Sequence, residues 1–81
     1  MHIIMELNNF VKGFANQFEE TNPHIVQAST KFRDLEEWSS LTAMSIIALA
    51  DEEYNVKLTG DDIRKSNTIE DIFNIVKSRK K

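Results

Sequence analysis

The stretch Asp34-Leu35-Glu36-Glu37-Trp38-Ser39-Ser40-Leu41-Thr42-Ala43-Met44 decides how this chain is read. Before it, residues 21 to 38 show no continuous period. After it, Ile46, Ile47, Ala50 and Tyr54 recur at helical spacing, and Leu41, Met44, Ala48 and Asp51 form a second line at steps of three and four. A long connection therefore gives way to a helix that starts at Ser39 or Ser40 and runs to about Tyr54. Ser39 is a good N-cap, because its hydroxyl accepts a hydrogen bond from a free N–H of the first turn. Ser40 then stands at a loop–helix junction with its hydroxyl exposed, where the helix dipole favours an attached anion. The first line faces the core, and the second is left for docking.

Working outward, Ile3, Leu7, Phe10, Val11, Phe14 and Phe18 make one apolar stripe over about Ile3 to Glu20, with Glu6, Asn9, Lys12 and Asn16 opposite. Gly13 weakens that helix slightly, and Thr21-Asn22-Pro23 ends it. The connection from Thr21 to Trp38 carries Ile25, Val26, Phe32, Leu35 and Trp38, too many large apolar residues for a disordered linker. It is expected to pack on the core, with a short turn of helix. Downstream, Asp61 or Asp62 caps a short helix containing Ile63. Thr68 caps a last helix whose Ile69, Ile72, Phe73 and Val76 share a face. Its Glu70 and Asp71 at one end, and Lys77, Arg79, Lys80 and Lys81 at the other, match the helix dipole.

The expected fold is all-α: a small bundle of three main helices plus one short helix, with a long loop between helices 1 and 2. It forms a single domain over residues 1–81. Its core is expected to include Leu7, Val11, Phe14, Ile46, Ile47, Ala50, Ile69, Ile72 and Phe73. No internal repeat is present.

Composition narrows the function. An 81-residue chain builds one small core and leaves little material for the walls of a deep catalytic cleft. The chain has no cysteine and only two histidines, His2 and His24, far apart in sequence, so no thiolate or His-cluster metal site is expected. With 13 acidic against 10 basic residues the net charge is −3, which argues against a general nucleic-acid binder and for docking on basic partners. Met1-His2-Ile3-Ile4-Met5 is too short for a signal peptide or a membrane span. The expectation is a cytoplasmic, monomeric protein that binds neither nucleic acid nor membrane and is not an enzyme.

Ser39-Ser40-Leu41 resembles the Asp-Ser-Leu motif of the acyl carrier protein family, which opens that family's second helix. The resemblance continues through Ile46-Ile47-Ala48-Leu49-Ala50-Asp51-Glu52-Glu53-Tyr54-Asn55-Val56-Lys57-Leu58. Thr59-Gly60-Asp61-Asp62-Ile63 and Asn67-Thr68-Ile69-Glu70-Asp71-Ile72 then look like the family's third helix and the start of its fourth. The likeness of layout covers the whole chain, and it is specific from about Phe32 to Ile72.

The resemblance implies that Ser40 bears 4′-phosphopantetheine, attached by a phosphopantetheinyl transferase from coenzyme A. Acyl groups, as in fatty acid biosynthesis, would ride on the arm's thiol, and the cofactor would supply the sulfur that the chain lacks. Acyl-loading and acyl-processing enzymes would read Leu41, Met44 and Ala48 as an apolar contact, and Glu36, Glu37, Asp51 and Glu52 as charges for basic patches. Ser39 departs from the family's aspartate. It keeps the cap but loses a negative charge that, in the family, helps transferase recognition beside a magnesium site. Trp38 resembles carriers outside housekeeping fatty-acid synthesis.

Plainer readings stand beside these. A lone Ser-Ser-Leu is usually an ordinary cap. Asp51-Glu52-Glu53 is by default a solvated helix face. Leu41 and Met44 fit a core as well as a docking surface, and Trp38 fits a packing anchor for the loop. The alternative function is a cofactor-free helical interaction module related to carriers. A small DNA-binding domain is disfavoured by the acidic charge.

Overall fold

The computed structural model describes residues 2–79, with side chains from Leu7 to Arg79. The side chains of His2, Ile3 and Glu6, and all of Lys80 and Lys81, lie outside the described residues. Four helices follow one another: α1 (His2–Ala15), α2 (Ser40–Tyr54), α3 (Gly60–Lys65) and α4 (Ile69–Arg79). The long loop between α1 and α2 contains two 3₁₀ turns, Pro23–Ile25 and Phe32–Asp34. The all-α bundle of three main helices and one short one is therefore what the chain forms. Among the described residues no strand occurs, only an isolated bridge between Lys31 and Thr68.

α1 ends earlier than the expected Glu20. The amides of Gln17 and Phe18 donate to Phe14 and Ala15 in tightened turns (3.1 Å each), and the Gln17 side chain donates to the carbonyl of Gly13 at 3.1 Å. These bonds satisfy carbonyls that a helix C-terminus would leave free. Phe10, Phe14 and Phe18, four residues apart, nevertheless remain on one side and are all buried.

α1 packs against both α2 and α4, and α3 packs against α4. The core joins Phe10, Phe14 and Phe18 to Phe32, Ile46, Ala50, Ile63, Ile69, Ile72, Phe73 and Val76. Leu7, Val11 and Ile47, expected in the core, are only half-buried at its edge. Gly13 has a use beyond its cost to α1. A Cβ there would meet the Leu49 side chain at 3.3 Å, so the missing side chain lets α1 and α2 close up.

α3 is capped by Thr59, not by Asp61 or Asp62. The Thr59 hydroxyl accepts from the Asp62 amide at 3.1 Å, and the Asp62 carboxylate accepts from the Thr59 amide at 2.9 Å. Thr68 and Asp71 form the equivalent pair at the start of α4. Asp62 is also buried and takes a two-pronged ion pair from Arg79, at 2.5 and 2.9 Å. That pair ties the end of α4 to the start of α3.

Candidate functional site

Ser39 and Ser40 occupy different backbone states. Ser39 is extended (φ −158°, ψ 175°) and caps α2. Its hydroxyl accepts from the Thr42 amide at 3.4 Å, while the Thr42 hydroxyl accepts from the Ser39 amide at 2.8 Å. Ser40 is the first helical residue. It is exposed, and its hydroxyl makes no hydrogen bond among the described residues. One serine is committed to the cap and the next is left open to solvent.

The loop brings Ser40 to this position through aromatic packing. Trp38 lies 4.6 Å from Phe32 between ring centroids and is stacked parallel to Phe14 at 6.2 Å. It is a packing anchor for the loop, and the cap begins at the next residue.

Along α2, the expected docking line faces outward. Leu41 is 75% exposed and Met44 65%, large values for apolar side chains, and Ala48, Asp51 and Glu52 are exposed as well. Asp51 reaches Lys57 at 3.6 Å, a solvated pair. Beside this line, a groove of about 460 Å³ opens at Ser40 between α2 and α3. A second, of about 250 Å³, continues it past Ala48 and Asp51. Met44 and Ile47 line both.

Glu36 and Glu37 separate. Glu36 is exposed, whereas Glu37 is half-buried and engaged within the chain. Its carboxylate accepts from the Thr21 hydroxyl, from the Thr21 amide at 2.6 Å and from the Glu20 amide at 3.1 Å. The hydrogen bond from the Thr21 side chain, aided by those backbone amides, lowers the Glu37 carboxyl below its ordinary pKa. Glu37 thus fastens the turn after α1 to the segment that leads into Trp38.

Two residues the sequence reading passed over belong to the groove. Arg33 and Arg64 both line it beside Ser40. They lie on the loop and on α3, and no spacing rule connects positions so far apart. His24 is exposed in the loop. Among the described residues, no group of three or more His, Cys, Asp or Glu side chains is placed to hold a metal ion. No described helix is long and apolar enough to cross a membrane.

In comparisons with known proteins, no family model, no curated protein and no solved structure matches the chain.

Proposed function

We propose that the protein is an acyl carrier: Ser40 takes a 4′-phosphopantetheine arm, and the arm presents acyl groups to partner enzymes. The observation that carries this reading is the division of labour at the start of α2. Ser39 supplies the cap, so Ser40 has an exposed hydroxyl with no competing hydrogen bond. Modifying it would cost the fold no bond.

The surroundings fit the group. α2 has no acidic side chain in its first turn, so its positive end is uncompensated within the helix and suits a phosphodiester. The groove beside Ser40 has room for part of an extended arm. In loading, the Ser40 Oγ–phosphorus bond forms as the pyrophosphate P–O bond of coenzyme A breaks. The nucleotide bisphosphate leaves, and the hydroxyl proton passes to a base of the transferase. The arm, once present, supplies a thiol for thioester formation.

Partner docking by Leu41, Met44, Ala48, Asp51 and Glu52 has independent support in their energetics. Leu41 and Met44 leave large apolar surfaces in water. Asp51, Glu52 and Glu53 sit near the C-terminal end of α2, where negative charge opposes the helix dipole. Neither choice helps α2 by itself, and both suit a mixed apolar and acidic surface for basic enzymes. Glu36 extends the acidic character upstream. The partners proposed are a phosphopantetheinyl transferase and acyl-loading and acyl-processing enzymes. The protein itself is not catalytic in this reading.

The test is intact-mass spectrometry after incubation with a broad-specificity transferase, coenzyme A and magnesium. A single phosphopantetheine adduct is expected on the wild-type protein and none on Ser40→Ala. An adduct on both would move the site elsewhere. No adduct on either, with correct folding and an active transferase control, would favour the cofactor-free interaction module. The observation behind that alternative is the uncharged Ser39 beside Ser40.

A further inference from the structure

The chain is acidic overall, yet the groove that opens at Ser40 is walled by two arginines, and no carboxylate lines it among the described residues. Arg33 is held in place: its guanidinium donates to the carbonyls of Ile63 at 3.2 Å and Ser66 at 2.6 Å, and to the side chain of Asn67 at 3.1 Å. It also lies over the Phe32 ring, 5.0 Å from the centroid. All these partners are neutral, and Arg33 makes no ion pair among the described residues. A guanidinium has five N–H donors, and the bonds above use three of them. Arg33 thus lines the groove as a cation with two N–H donors that these bonds do not use. Arg64 lines the same groove and is ion-paired with the exposed Asp61. The positive end of α2, with no acid in its first turn, adds to the same field.

We propose that Arg33 and Arg64 form an anion clamp that holds a negatively charged group of the loaded arm against the α2–α3 groove. The inference rests on the carrier reading and adds to it: the arm is partly pinned at the surface by charge. Arginine suits the task because its planar fork meets phosphate or carboxylate oxygens with paired hydrogen bonds. The anion has two possible sources of one chemistry, the phosphodiester at Ser40 or a carboxylate on the carried group.

The experiment compares three loaded forms with the unmodified protein. These carry the bare arm, a butyryl group and a succinyl group, each transferred from the matching coenzyme A conjugate and checked by intact mass. The readouts are the ¹H–¹⁵N signals of the arginine side chains and the melting temperature at low and high salt. If the phosphodiester is the ligand, all three forms shift the Arg33 and Arg64 signals. They also melt about 2–4 °C above the unmodified protein at low salt, a gain erased near 1 M salt, where screening acts within a few ångströms. If the ligand is a cargo carboxylate, only the succinyl form does so. In either case Arg64→Gln removes at least half of the gain, measured against the unmodified form of the same variant. Arg33→Gln removes more, and should it fail to fold because α3 loses its anchor, Arg64→Gln carries the test alone. Adducts of correct mass that move neither arginine's signals would overturn the clamp while leaving the carrier reading intact. Absence of any adduct would overturn the carrier reading and the clamp with it.

Discussion

At the scale of single residues, adjacent serines with the same chemistry contribute differently because the backbone turns between them. Ser39 is extended and caps, and Ser40 is helical and free. Ser39→Ala should therefore cost about 0.5–1 kcal/mol, at the lower end of cap losses because the bond from Thr42 is long at 3.4 Å. Ser40→Ala should stay within about 0.5 kcal/mol of wild type. Urea unfolding of the two variants side by side measures the contrast, and equal losses would mean that both hydroxyls serve the fold. Ser39→Asp keeps the cap and puts a negative charge at the positive end of α2, so it should gain about 0.3–1 kcal/mol at low salt. On the carrier reading it should also load faster in a timed mass assay. A stabilised variant that loads no faster would separate helix electrostatics from transferase recognition.

At the scale of elements, charge placement distinguishes α2 from its neighbours. α3 and α4 begin with acidic residues and end with basic ones, while α2 has no acid in its first turn and no base in its last. The charge match of α4 was legible in the sequence, as was the second line from Leu41 to Asp51; that Leu41 and Met44 stay exposed was not, because they fit a core equally well. The exact cap of α3 was not. Thr59, Asp61 and Asp62 are all good capping residues, and only the buried pair with Arg79, distant in sequence, selects Asp62 for the inner position. The Arg79 hydrogen bond, with help from Thr59, lowers the Asp62 carboxyl to a pKa of about 2 from an ordinary 3.8. A depressed carboxyl pKa stabilises the fold fully above the ordinary value, and the contribution is lost as pH falls through the folded value. The loss therefore falls between about pH 4 and pH 2, and amounts to at most about 2 kcal/mol because Arg79 is partly solvated. Asp62→Asn should start less stable at neutral pH and then lose up to about 2 kcal/mol less than wild type across that window. Denaturant midpoints at a series of pH values test this, and parallel curves for the two proteins would refute it.

For the whole molecule, the question is whether the loop that delivers Ser40 is a separate appendage or part of the core. The helical stripes of Phe10, Phe14 and Phe18 and of Ile69, Ile72, Phe73 and Val76 follow from period alone, so the bundle was readable. The loop has no period, and nothing in its sequence says that Phe32 is wholly buried while Ile25 is 54% exposed. The same gap hid Arg33, whose place in the groove depends on Phe32 and on the far end of α3. The packing joins the loop to α1: Phe32 meets Trp38 and Phe14, and Trp38 in turn meets Phe14 and Phe18. Rings this interlocked should unfold together. Phe32→Ala removes the central ring of that joint and should cost about 3–5 kcal/mol, a large fraction of the stability of a small domain. Trp38 is the chain's single tryptophan, so its fluorescence reports the loop while far-UV circular dichroism reports the helices. In wild type, and in Phe32→Ala if enough folded protein remains, the two signals should share one midpoint. A fluorescence transition that precedes helix loss would make the loop an independent unit. Ser40 would then be carried on a segment able to loosen while the bundle stays folded, and the groove beside it would lose the fixed position of Arg33 that the anion clamp requires.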